Sequence, residues 1–186
     1  MILAAFRRGS AHATIAALYG AIVAQARSPV FYATFGVPDT VDGRFELIVL
    51  HLVLILRRLG GGPAAAGKEK ARGLGQGLFD LFCRDLDSNL REMGVGDLKV
   101  PKEMRRFGEA FYGRQAAYGA ALAAAEYAEL EKALARNIFG IAGADDRAAR
   151  LARYVRAAAT QLDAEDDGTL AAGTVSFPDP KVFAHA

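Results

Sequence analysis

Four stretches of the chain carry residue types at spacings that could do chemistry. Gly62-Pro-Ala-Ala-Ala-Gly67-Lys68 has the spacing of a phosphate-binding loop and follows an apolar run. Such a loop continues with Ser or Thr, whose hydroxyl ligates magnesium, but Glu69 stands there and its carboxylate would repel phosphate. The run before it reads as helix where a phosphate loop follows a strand, so a plain interhelix linker is expected. Asp163-Ala-Glu165-Asp166-Asp167-Gly168 imitates the opening of a calcium loop, with Leu170 at its apolar position. The bidentate Glu that such a loop needs at its twelfth place is Thr174, and the stretch is read instead as an acidic, solvated helix end. His12, His51 and His185 lie far apart with no pair at helical spacing. His51, inside an apolar run, is expected to be a core histidine; haem or metal ligation is the competing use of its imidazole. Arg147, Arg150, Arg153 and Arg156 resemble a basic stripe for anionic lipid or RNA. Steps of three residues advance about 300° each, so the row turns by about 180° along the helix. At most two or three of these arginines face one partner, and a solvated surface is expected.

None of these patterns assembles the convergent titratable groups of an active site, so an enzyme is not expected. Composition narrows the class further. Of the 186 residues, 52% are apolar or aromatic; counted with glycine and without tyrosine the share is about 60%, against about 45–50% in soluble domains. A disordered chain is excluded, and the surplus implies a large core or an exposed apolar surface. The length suits one domain, taken as residues 1–186. A net charge of +2 is too small to make nucleic acid the main partner, and no DNA is expected. The single cysteine, Cys83, forms neither an internal disulfide nor a cysteine zinc site, which favours a reducing compartment. The opening Met-Ile-Leu-Ala-Ala-Phe-Arg-Arg lacks the order of a secretory signal, because its basic pair follows the apolar residues. Phe45 to Leu56 is the most apolar run, but it is interrupted by His51, ends at Arg57-Arg58, and is shorter than the ~20 residues that span a bilayer. It predicts a helix buried in protein.

The elements that must position any site are helical: about six helices in an all-α domain with an irregular tail. Ser10 to Arg27 predicts a first helix stopped by Ser28-Pro29. Residues 29–42 read as a loop anchored by Phe31, Tyr32 and Phe35, and Asp42 as the N-cap of a second helix running to Gly60-Gly61-Gly62-Pro63. In the third helix Leu74, Leu78, Leu81, Phe82, Leu86, Leu90 and Met93 recur at spacings of three and four, which makes one apolar face. Gly94 and Gly96 end it, one of them with positive φ. Pro101 opens a fourth helix carrying Met104, Phe107, Phe111 and Tyr118; Ala116 to Ala135 continues or restarts it, and Gly140 and Gly143 close that element. Asp145 caps a last helix with Leu151, Val155 and Leu162. Residues 163–186 form a tail that lies extended over the helices or frays.

The most informative segment is Asp80 to Arg114, where seven acids meet seven bases. Asp80, Arg84, Asp87 and Arg91 fall at steps of four, three and four, on one polar face opposite the leucines. The ladder runs into a compact loop, Glu92-Met-Gly-Val-Gly-Asp-Leu-Lys-Val-Pro-Lys102. The run from Arg84 through Met93-Gly94-Val95-Gly96-Asp97 to Arg106, followed by Phe111-Tyr112-Gly113-Arg114, resembles the ubiquinol-cytochrome c chaperone family, the assembly factors for cytochrome b of the respiratory bc1 complex. The likeness takes in Leu18-Tyr19, Phe31 to Pro38 and Asp42 to Glu46, and covers roughly residues 15–120.

The resemblance implies an all-α, non-catalytic protein without a cofactor that holds newly made cytochrome b until it receives haem and meets its partners. In mitochondria such factors work with a small partner chaperone beside the ribosome; this chain is short and shows no recognisable targeting extension, so a bacterial member is expected, at the cytoplasmic face of the inner membrane and peripheral if attached at all. A polytopic membrane client offers apolar helices and short charged loops, so its binder needs an apolar patch beside mixed charge. The expected client-binding residues are Asp80, Arg84, Asp87, Arg91, Glu92, Met93, Gly94, Val95, Gly96, Asp97, Lys99, Pro101, Lys102, Arg105 and Arg106. A haem-handling helical protein built on His51 is the alternative.

Overall fold

A computed structural model describes residues 2–61, 68–124 and 126–184 of the chain. Among the described residues eight α-helical segments follow one another: α1 (Ile2–Ala26), α2 (Pro29–Ala33), α3 (Val41–Gly61), α4 (Lys68–Glu92), α5 (Val100–Ala123), α6 (Ala128–Ile138), α7 (Asp146–Ala164) and α8 (Asp167–Ala171), before a 3₁₀ turn at Pro180–Phe183. No strand occurs among the described residues, so the chain is all-α.

The apolar run has become the central helix. α3 packs against α1, α4, α5, α6 and α7. Leu47, Val49, Leu50, Leu52, Val53, Leu54 and Ile55 are all buried, on every side of the helix. A helix apolar all round must be surrounded, and each such side chain contributes about 1.5–3 kcal/mol when taken from water. No helix among the described residues is long and apolar enough to cross a membrane. The composition surplus is therefore largely spent on the core.

Several boundaries differ from expectation. α1 begins at Ile2 rather than Ser10. The segment after Pro29 folds as α2, with Phe31 fully buried; five residues are too few to show a period. Thr40, not Asp42, caps α3: its Oγ1 accepts the Gly43 N–H at 3.1 Å, and Asp42 sits in the first turn. The Ala-rich stretch, expected to continue or restart the fourth helix, does both: it continues α5 to Ala123 and restarts as α6. Asp145 caps α7 as expected, accepting from the N–H groups of Arg147 and Ala148.

The tail does not fray among the described residues. Leu170 and Pro180 are buried, and Phe177 and Phe183 pack on the core. The acids read as a solvated helix end hold this tail: Arg57 binds Asp163 and Arg58 binds Asp167, both at 2.6 Å, while Asp166 caps α8 and Glu165 accepts from Ser176. Asp163, Asp166 and Asp167 stay exposed, in keeping with the solvated reading, and the acids point to separate partners with no calcium-like convergence. No cluster of metal-ligating side chains occurs among the described residues.

Candidate functional site

The arginine row is also built in. Arg147 binds Asp145 and lies 4.7 Å from the centre of the Phe139 ring. Arg156 donates to the carbonyl oxygens of Ala121, Ala124 and Glu126 at the end of α5, and its guanidinium covers Tyr127. All four arginines are half-buried. The expected solvated surface gives way because Ala148, Ala152, Ala158 and Ala159 let α7 pack closely, so the long arginine stems lie against neighbouring helices.

His51 is fully buried and both ring nitrogens are engaged. Nδ1 donates to the Leu47 carbonyl at 2.7 Å, which leaves Nε2 to accept the Tyr154 hydroxyl at 2.8 Å. That hydroxyl accepts from Gln25 Nε2 at 3.0 Å, and Gln25 also reaches the Pro178 carbonyl. Phe31 and Phe177 stand edge-on to the imidazole. Burial holds the His51 pKa down at about 4. No lone pair is left for a haem iron, so His51 is a satisfied core histidine. The phosphate-loop-like segment lies, apart from Lys68, outside the described residues; the run before it is helix.

Of the residues expected to bind a client, Arg91 to Asp97, Lys99, Pro101 and Lys102 come together at one exposed corner, where α4 ends and α5 begins; Arg105 and Arg106 follow on α5, Asp87 lies about one turn before the corner, and Asp80 and Arg84 lie about two to three turns before it on α4. The corner is fixed by the backbone. Gly94, at φ +81°, lets its own N–H bond to the Arg91 carbonyl while the Val95 N–H reaches back to Leu90, a paired closure of the helix C-terminus that favours glycine. Gly96 has ordinary φ; its carbonyl accepts from Lys99 at 2.7 Å and starts the turn into α5. Pro101 is the second residue of α5 rather than the first, and the buried Val100 precedes it.

Charges decorate this frame unevenly. Arg91 binds Asp87 at 2.7 Å and also Asp97 across the corner, tying helix to loop. Arg84 bonds the backbone oxygen of Asp80, whose carboxylate takes Gln76 instead, so the expected ladder is joined only at its lower end. Glu92 accepts from Ser88. On α5, Arg105 pairs with Glu109 and Arg106 with Glu103. Lys99 and Lys102 are exposed. Between these charges stand two exposed apolar side chains, Met93 at 55% and Leu98 at 98% of full exposure. Leu98 lies in the loop between Gly94 and Lys102 but is absent from the residues expected to bind a client; the signal that marks it is its position beyond Gly94, where no helical period turns it toward the core.

Behind the corner, Arg114 on α5 grips Glu46 on α3 with two hydrogen bonds of 2.5 and 2.6 Å. Burial pushes the Glu46 carboxyl up and Arg114 pulls it down, burial being the larger influence. On the α1 side, the Tyr19 hydroxyl donates to Asp85 at 2.8 Å. These two contacts hold α4 and α5 in register on the core.

The family model described as Ubiquinol-cytochrome C chaperone matches residues 33–177. The chain belongs to this family. The crystal structure of the Cbp3 homolog from Brucella abortus is similar, at 41% identity and a TM-score of 0.82, over 97% of this chain and 98% of that chain. No curated protein sequence matches the chain. Toward the C-terminus the family match reaches further than the resemblance over 15–120, taking in α6, α7, α8 and the tail to residue 177; toward the N-terminus it starts at residue 33, after Leu18-Tyr19 and Phe31-Tyr32. The charged corner lies well inside it.

Proposed function

We propose that the protein is an assembly chaperone of the respiratory cytochrome bc1 complex, holding newly made cytochrome b at the α4–α5 corner. Family membership supports the assembly role. One observation carries the placement: two exposed apolar side chains, Met93 and Leu98, stand on a rigid turn among exposed charges of both signs. A polytopic membrane protein presents short charged loops at the ends of apolar helices. Charge pairing with such loops sets orientation, and Leu98 adds apolar contact at the point where loop meets helix. The role is non-enzymatic and peripheral, at the cytoplasmic face of the inner membrane.

The test is charge reversal. Exposed ion pairs add little to stability, so Asp87→Arg with Arg91→Asp, or Lys102→Glu with Arg105→Glu, leaves melting temperature near wild type. Like-charge contacts with the client then cut cytochrome b recovered by co-purification from solubilised membranes, and Leu98→Ser does the same. Normal stability with normal recovery in all three variants would show that the corner is only a solvated face.

A further inference from the structure

The first two turns of α4 differ from the rest of that helix. From Leu78 onward α4 buries Leu78, Phe82 and Leu90, and Asp85 is bonded to Tyr19. Between Glu69 and Gln76 only Leu74 is buried, and no described side chain from 69 to 75 forms a hydrogen bond or ion pair with another helix. This part is also flanked by clefts. One of about 600 Å³ is lined by Gly73, Leu74, Thr14 and Ile15. A second of about 220 Å³ is lined by Ala71, Leu74, Leu59 and Leu170, and a third of about 400 Å³ by Ala71, Gly75, Leu56, Phe111 and Tyr112. All three are open to solvent, so this stretch of helix has water beside it where the rest of α4 has packed neighbours.

The glycines here are not demanded by packing. A Cβ at Gly73 would meet nothing within 4 Å, and one at Gly75 would meet only a Leu56 methyl at 3.4 Å. Gly77 is different: a Cβ there would fall 2.3 Å from Ile15 Cδ1, so α1 and α4 meet closely at that point. Each helical glycine is disfavoured about fivefold relative to alanine. Gly73 and Gly75 therefore weaken the helix without any gain in contact, just above the place where α4 becomes firmly held.

We infer that residues 69–76 form a flap that opens about Gly77 while the rest of the domain stays folded. Opening uncovers an apolar floor of Leu56, Leu59 and Leu170. Segments with few buried contacts open at low free energy, and such segments are the ones that move on binding. This supplies the apolar surface that the closed domain hides, and its use by the client rests on the function proposed above.

Hydrogen exchange read by mass spectrometry tests the flap. In the full-length protein, amides of 70–77 exchange at least about tenfold faster than those of 79–90. Gly73→Ala with Gly75→Ala slows exchange of 70–77 by roughly 25-fold, the product of two fivefold effects. Gly119→Ala on α5 is the control, because a Cβ at Gly119 also meets nothing within 4 Å and its stabilisation is elsewhere. Equal protection along α4, or equal slowing of 70–77 by Gly119→Ala, overturns the flap, since either means exchange through global unfolding. Cytochrome b recovery with the Gly73→Ala, Gly75→Ala protein tests the link to the client: a fall supports it, and unchanged recovery overturns it. The charge-reversal result at the α4–α5 corner is independent of both, so failure of the flap and failure of the chaperone reading give different patterns.

Discussion

Tyr154→Phe removes one oxygen atom from the centre of the domain and leaves its shape intact. The hydroxyl serves two partners: it donates to His51 Nε2 at 2.8 Å and accepts from Gln25 Nε2 at 3.0 Å. Without it, the fully buried imidazole keeps an unpaired acceptor, at about 1–3 kcal/mol. Gln25 is half-buried and keeps the Pro178 carbonyl at 3.3 Å, so its share of the loss is smaller. A total of about 2 kcal/mol corresponds to a fall in Tm of roughly 4–8 °C at this chain length. pH supplies a second reading. The His51 pKa falls from 6.5 to about 4 on folding, so the unfolded chain binds more protons between those values. Stability from neutral His51 is fully present above pH 6.5 and is lost as pH falls toward 4, by about 3 kcal/mol. Thermal melts followed by circular dichroism from pH 7.5 to 4 measure both. His51→Gln should flatten the slope relative to wild type between pH 6.5 and 4. A Tyr154→Phe protein that melts within a degree of wild type, or a His51→Gln protein that keeps the full acid slope, refutes the network.

Three further outcomes follow from named contacts. Gly94→Ala destabilises by more than about 1 kcal/mol, because alanine resists φ +81°, whereas Gly96→Ala is nearly neutral; chemical denaturation of both separates them. Arg156→Ala frees three carbonyl oxygens at the α5–α6 corner and lowers stability by about 1–3 kcal/mol, with faster amide exchange at the start of α6 as the local signature. Glu46→Ala strands Arg114 and costs about 2–3 kcal/mol, below the range for a fully enclosed pair because Arg114 retains some exposure; Glu46→Leu with Arg114→Met recovers most of the loss in the same denaturation assay.

Long apolar periods made α4 and the start of α5 legible, and the two glycines between them gave the corner. The family resemblance reached the same corner by another route, through its mixed polar and glycine residues. What stayed hidden was set by partners far apart in sequence. His51 and Tyr154 are 103 residues apart, and nothing local tells either that the other completes its hydrogen bonds. The arginines of α7 looked solvated by their spiral, but a helix with alanine on its packed side sits close enough for the Arg156 guanidinium to reach carbonyls at the end of α5. The tail lacked any period because extended chain is fixed by single residues: Phe177 against His51, Phe183 against Tyr154, Ser176 on Glu165.

The apolar surplus raises a physical question about chaperoning. Sequence reasoning allotted part of it to an exposed patch beside the charged segment, but α3 and its neighbours bury most of it. Among the described residues the large exposed apolar side chains are Val41, Met93, Leu98, Tyr112, Tyr127 and Val182, and only Met93 and Leu98 lie at the charged corner. Two side chains are too few to shelter an apolar transmembrane helix, each buried one being worth about 1.5–3 kcal/mol. A permanently exposed apolar groove would also promote self-association. On the proposed function, a corner that recognises loops by charge and a separate floor that is covered until needed would satisfy both constraints. The corner would orient the client through contacts that water tolerates, and the closed flap would keep apolar area hidden while the chaperone is empty. The expected division of labour is measurable: charge reversal at the corner slows capture of cytochrome b, whereas stiffening α4 at Gly73 and Gly75 leaves capture fast and shortens the lifetime of the complex, because the second set of contacts never forms.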